Sequence, residues 1–330
     1  MSHSATQPKL SEKEIVSIIK RAFGEKALIT TLEELKGGFF NTAYRISINK
    51  DMDYILKVAP SPETKVLRFE ENILETEVLV MELMSSHGIP VPKVHFFDQS
   101  KEILPCEYFI MEMIEGVSML ELRPNLTEEE HKRIDREIGT FARKINEIKG
   151  ERFGHIHKHD KQTFSWREAF DKRICDILKD GIELNVTLQV GYNEIYDLLE
   201  SNYSSLDLVI EPRLIHYDLW DGNVIINDRM EIVGVIDWER AFWGDPLIEF
   251  NFNNLAYKDA FNEGYGLEML GTSEEKSRRL LYDIYYFLIN AIEVTNRQYV
   301  NKDQEKWACD HLKECLAKLR QNNDHLDVTG

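Results

Sequence analysis

A chain of 330 residues, 43% hydrophobic and 30% charged, has the composition of a globular protein and the length for two lobes around substantial cores. Its net charge of −18 argues against nucleic acid or an anionic membrane as partner, because phosphate surfaces demand clustered Lys and Arg. No apolar run approaches the roughly 18 residues of a membrane span, and the N-terminal stretch lacks an apolar signal core, so the expectation is a cytoplasmic protein without a membrane partner.

Taken in order, Ser11-Glu12-Lys13-Glu14 is a capping box, and Ile15, Ile18, Ile19 and Phe23 follow at helical spacing to a stop at Gly24. Residues 35–47 read as strand, glycine turn and strand. The pair Gly37-Gly38 lets backbone approach a ligand and can turn N–H groups onto phosphates, although most such pairs merely close a hairpin. The next strand, 54–58, sets Lys57 among apolar residues, and 71–83 is helical in pattern. A strand over 107–114 is followed by Glu115-Gly116. Thr127 to Glu130 forms a second capping box, ahead of an apolar stripe that Gly150 ends. His155, His157 and His159 alternate, but lacking a fixed scaffold they read as solvated loop residues and not as a metal site. A helical insert spans about 164–199, and helix pairs fill 273–320. Cys106, Cys175, Cys309 and Cys315 are scattered, as expected of reduced thiols.

The densest chemistry lies in 214–250. Two β-branched runs, 223–227 and 231–236, flank the polar corner Asp228-Arg229-Met230 as a short hairpin. Folding it is expected to gather Asp218, Asn223 and Asp237. A carboxylate can accept the proton of a substrate hydroxyl, while an amide oxygen and a second carboxylate suit Mg²⁺, which together serve phosphoryl transfer. The expected roles are Asp218 as base, Asn223 and Asp237 as metal ligands, and His216 as a buried scaffold of the catalytic turn.

The spacing of His216, Asp218 and Asn223, followed by Asp237, resembles protein-kinase catalytic and metal motifs. With HYDLWDGN and IDW in place of HRDxxxxN and DFG, and no APE-like element, it is more similar to the aminoglycoside phosphotransferase and choline kinase group, with hygromycin-type features in the insert. That resemblance implies an α+β, two-lobed protein-kinase-like fold: a small antiparallel β-sheet N-lobe over 1–115 and a mainly helical C-lobe over 116–330 carrying the catalytic hairpin. ATP with Mg²⁺ would lie between the lobes. Lys57 is similar to the strand lysine that holds the ATP phosphates, and its partner would be Glu77, with Glu75 as the alternative. Met111, the Glu112 carbonyl and the Ile114 N–H correspond to the adenine-binding connection. Asp221 and Glu239 would project toward an acceptor. Tyr217 stands where the aminoglycoside enzymes commonly carry Gly or Ala, and its ring could narrow the site or stack on the acceptor.

The implied function is transfer of the γ-phosphate to a hydroxyl of a small, polar or cationic acceptor. An aminoglycoside or amino sugar comes first, a resistance role in which phosphorylation would inactivate the drug. The rivals are a metabolic kinase for a fructosamine, choline, homoserine or thiosugar, and a nucleotide-binding module without turnover.

Overall fold

The computed structural model describes residues 7–36, 38, 40–49, 52–253, 258–266, 271–299 and 301–328, with backbone alone over 322–328. Gly37 lies outside the described residues. In chain order the elements open with helix α1 (Glu12–Phe23) and strands β1 (Ile29–Leu35), β2 (Thr42–Ile48) and β3 (Met52–Val58). Helix α2 (Ile73–Ser86), strands β4 (Val94–Asp98), β5 (Tyr108–Glu112) and β6 (Val117–Ser118), and helix α3 (Met119–Leu122) come next. Then follow α4 (Glu128–Asn146), β7 (Gly154–His155), α5 (Trp166–Glu183), α6 (Tyr192–Glu200), β8 (Arg213–Ile215), β9 (Val224–Ile226) and β10 (Ile232–Val235). The chain closes with β11 (Phe242–Gly244), α7 (Asp259–Tyr265), α8 (Ser273–Asn296) and α9 (Asp303–Val328).

These elements pack as two compact units. The first comprises Met1–Val66, Asn72–Glu121 and Asp221–Glu239, and the second Leu67–Glu71, Leu122–Trp220 and Arg240–Gly330. A single cut at residue 115 is therefore replaced by a boundary near 121, and the hairpin expected in the helical lobe joins the first unit. The reason is hydrogen bonding: β6 pairs antiparallel with β9, and Val235 N–H donates to the Pro90 carbonyl at 2.8 Å.

The first unit is built on an antiparallel sheet in the order β1-β2-β3-β5-β4. The Ser11 capping box forms, and α1 buries Ile15, Ile18 and Ile19 against Tyr44, Ile46, Leu56, Val58 and Ile110. Each such isoleucine contributes about 1.5–3 kcal/mol through removal from water. Period-two alternation turns Tyr54, Leu56 and Val58 into this core, which leaves Lys57 on the opposite face.

In the second unit the Thr127 box starts α4. Helices α4 and α7 meet where both lack side chains: a Cβ on Gly139 would fall 2.1 Å from the Phe261 carbonyl oxygen, and one on Gly264 1.9 Å from that of Arg136. Asp245 accepts from Leu247 N–H at 3.1 Å, Arg278 Nε at 2.9 Å and the Tyr282 hydroxyl at 2.7 Å, fixing the loop after β11 onto α8.

Candidate active site

In the first unit one ammonium organises three carboxylates. Lys57 Nζ lies 2.5 Å from Asp237 Oδ1, 2.7 Å from Glu77 Oε2 and 3.3 Å from Glu239 Oε2. Strand β3, between β2 and β5, fixes the lysine, while α2 supplies Glu77, which is fully buried. Glu75, two residues earlier on the helix, cannot share that direction. Burial pushes the Lys57 ammonium down, but the charges of Asp237, Glu77 and Glu239 outweigh it and hold its pKa well above the ordinary lysine range. Glu77 is raised by the same burial, against the pull of Lys57.

Asp237 follows β10 with φ +67°, a left-handed conformation that costs a non-glycine residue about 1–2 kcal/mol. Next to it Trp238 is fully buried, its indole N–H donating to the Val235 carbonyl at 2.9 Å. Ile236 N–H donates to the Asn223 carbonyl at 3.0 Å, so the hairpin sets the buried Asn223 beside the base of Asp237. The corner between β9 and β10 closes through Asn227, whose Oδ1 accepts from Arg229 and Glu231 N–H.

Glu239 departs from its expected place. It does not project toward an acceptor: it is buried and accepts from Asn41 Nδ2 at 2.5 Å while facing Lys57. Carboxylate oxygens of Glu77, Asp237 and Glu239 lie within 4.8 Å of one another, a hard donor set suited to a divalent cation. Asp221 opens the 3-10 turn Asp221–Asn223 and is half-buried. Gly38 accepts from Gln7 Nε2 through its carbonyl at 2.9 Å, at the entrance to β2. Met111 is buried in β5, the Glu112 N–H is used by the Lys93 carbonyl, and the Ile114 side chain covers Gly234 of β10.

His216, Tyr217 and Asp218 belong to the second unit. His216 is fully buried, and its Nδ1 accepts the Asp218 N–H at 3.2 Å, which assigns the ring proton to Nε2. Tyr217 has φ +67°, and this backbone turn sends its ring inward, 5.6 Å from Phe242 and 6.1 Å from Tyr285 between centroids. The expected stacking face is thus packed in an aromatic core, and its hydroxyl is buried with it.

Glu249 was not expected. It is buried, and its two oxygens accept the N–H groups of His216 and Tyr217, both at 2.8 Å, with Asn146 Nδ2 at 3.4 Å. Burial raises its carboxyl to about 7, against the lowering effect of those N–H donors. An acid inside the apolar run 246–252 was the available signal for it, as an asparagine between Phe40 and strand β2 was for Asn41. The imidazoles of His155 and His157 are half-buried with centroids 6.0 Å apart, not solvated as expected. Burial, then the cations around them, lowers both below the ordinary histidine range.

A central-strand lysine paired to a helix glutamate within an antiparallel sheet unit, in a chain whose other unit is mainly helical, is the two-lobed α+β architecture of small-molecule kinases. A solved ternary complex with ADP and hygromycin B, of a thermostable mutant of aminoglycoside phosphotransferase APH(4)-Ia, shares this fold with a TM-score of 0.66 at 19% identity, covering 92% of this chain and 98% of that one. The model of the phosphotransferase enzyme family matches residues 31–263, and the chain belongs to that family. It is also similar to the acyl-CoA dehydrogenase family member 10 of Mus musculus, 25% identical over 67% of this chain and 20% of that protein. The probable acyl-CoA dehydrogenase IBR3 of Arabidopsis thaliana is 21% identical over 64% of this chain and 27% of that protein. The chain thus spans about a quarter of the curated relatives it matches. Among the described residues no helix is long and apolar enough to cross a membrane.

Proposed function

We propose that the chain is an ATP-dependent phosphotransferase that moves the γ-phosphate to a hydroxyl of a small molecule. The observation that carries this reading is the Lys57 cluster: an ammonium placed to bind phosphate oxygens and held by Glu77, with the hard oxygen donors of Asp237 and Glu239 against it; Asn223, at the head of the same hairpin, would add its amide oxygen. Those donors would hold Mg²⁺, which supplies neutralisation of phosphate charge when bound.

Asp218 is the proposed base. Its carboxylate takes the proton of the acceptor hydroxyl as that oxygen attacks phosphorus, and its backbone is aimed by the N–H bond to His216, itself fixed through Glu249. Backbone of Glu112 and Ile114 would receive the adenine, beside Met111. Gly37-Gly38 would cover the phosphates.

The likeness to APH(4)-Ia, solved with hygromycin B, points to an aminoglycoside-type acceptor, whereas the cations around Tyr217, one residue before Asp218, point to an anionic one. The test is ADP release with ATP and Mg²⁺ across aminoglycosides and small metabolites, with Asp218→Asn as control. Removing the base should cost roughly 10²–10⁴-fold in kcat while leaving ATP affinity in place. Acceptor-dependent turnover that survives this substitution refutes the assignment of the base.

A further inference from the structure

The second unit carries a cationic cluster that the phosphate chemistry does not use, next to the turn that presents Asp218. Strand β7 pairs with β11 so that His155 stands opposite Phe242. From α5, the Arg173 guanidinium stands over the Phe242 ring, its carbon 3.6 Å from the centroid. A guanidinium so placed keeps its N–H edges for in-plane hydrogen bonds. One of them goes to the Tyr285 hydroxyl. Tyr217 packs on the same Phe242 and Tyr285 rings.

The charges here are one-sided for a chain of net charge −18. The cations whose charge acts on His155 are Arg173, Lys158, His157 and Lys161, and those that act on Tyr217 are Arg173, Arg240 and Arg279. Three of these cations have carboxylates of their own: Lys158 has Glu71 at 3.4 Å, Arg240 has Glu293 at 3.2 Å, and Arg279 has Asp283 at 2.8 Å. Asp176, whose charge acts on Tyr285, is paired with Lys172 at 3.3 Å. Among the described residues no carboxylate forms an ion pair with Arg173. The Tyr217 hydroxyl is a second unanswered group, since Tyr217 is only 8% exposed and its oxygen has no hydrogen-bond partner among the described residues. A buried hydroxyl left unpaired costs about 1–3 kcal/mol, a cost that a ligand oxygen would remove.

We propose that Arg173, with the Tyr217 hydroxyl and the His155 imidazole beside it, seats an anionic oxygen group of the acceptor, a carboxylate or a phosphate ester. The guanidinium edge gives bidentate, charge-assisted bonds to two oxygens of such a group, and the phenol donates a third. A cationic acceptor meets only like charge at this seat. The inference rests on the kinase reading, because the seat becomes an acceptor site only if Asp218, one residue after Tyr217, is the base.

The experiment is ADP release with three sets of acceptors: hydroxy acids, polyol phosphates, and the matching neutral amides and polyols, with aminoglycosides beside them. ATP binding is measured separately by calorimetry. The expected result is turnover of an anionic acceptor, with its neutral counterpart at least about tenfold poorer in kcat/KM. Hydroxy acids as the active set identify a carboxylate, and polyol phosphates a phosphate ester. Arg173→Gln should raise the KM of that acceptor roughly 10- to 100-fold with ATP affinity retained, and Arg173→Lys should recover part of it. Tyr217→Phe should also raise this KM while keeping or raising the melting temperature, since it removes an unpaired buried hydroxyl. Preferred turnover of neutral or cationic acceptors, silence of every anionic one with ATP bound, or an unchanged KM in both variants overturns the anionic seat and leaves the kinase standing. Absence of ATP binding overturns the kinase reading and the seat with it.

Discussion

Glu249→Gln separates the charge of Glu249 from its shape. Burial lifts this carboxyl from an ordinary 4.5 to about 7. A group that holds its proton more tightly when folded stabilises the fold at low pH, and that contribution is lost as pH rises from the unfolded value through the folded one. The window is therefore about pH 4.5 to 7, and a shift of this size corresponds to roughly 3 kcal/mol. In the glutamine variant one oxygen still accepts a turn N–H, but the amide nitrogen opposes the other, so His216 or Tyr217 keeps an unsatisfied buried donor at a cost of about 1–3 kcal/mol. The expected outcome in urea unfolding at pH 5 and pH 8 is a variant less stable than wild type at pH 5, with the deficit shrinking or reversing at pH 8. Turnover should fall at both pH values, because the +67° turn at Tyr217 loses one of its two anchors. Every other titrating group is common to both proteins and cancels. A stability difference that does not change between pH 5 and pH 8 would refute the buried-charge argument.

Replacing Lys57 by Met leaves Glu77, Asp237 and Glu239 with their oxygens within 4.8 Å of one another and no cation among them. The variant should lose phosphoryl transfer, and its melting temperature without nucleotide should rise with Mg²⁺ more than that of wild type, by mass action on a vacated carboxylate cluster. Equal Mg²⁺ responses would exclude these three side chains as a cation site. Gly139→Ala places a methyl 2.1 Å from the Phe261 carbonyl oxygen. Neither helix backbone can yield cheaply, so a loss of about 3 kcal/mol is expected in denaturant unfolding, and a loss under 1 kcal/mol would mean that α4 and α7 slide apart easily.

What could be read from the sequence was local or carried by spacing. The capping boxes at Ser11 and Thr127 close over three residues, and both form. The two-lobed α+β kinase fold followed from the motif at 214–250 and is the fold found. What escaped depends on distant partners or on backbone sign. Asn41 meets Glu239 across 198 residues, and Glu249 meets the turn of His216 and Tyr217 across more than thirty, so neither pairing leaves a local pattern. Tyr217 was expected to face an acceptor with its ring; a positive φ, which no composition rule assigns to tyrosine, turned that ring into the core. The alternating histidines misled for a related reason, because β7 is only two residues long and its burial is set by β11 and α5.

The order of segments in the first unit has a consequence for how the protein is made. That unit begins at the N-terminus but is completed by Asp221–Glu239, after Leu122–Trp220 of the other unit has been synthesised. At ribosomal speeds of about 5–20 residues per second, β6 waits roughly 5 to 21 s for β9 to emerge, and Lys57 and Glu77 wait longer still for Asp237, roughly 8 to 36 s. During that interval the nascent sheet unit carries an unpaired strand edge and two buried charges without their third partner. A chaperone that shields the product of residues 1–121 until residue 239 is made would therefore raise the yield of active protein, and the unit cannot be expressed alone by stopping the chain at 121.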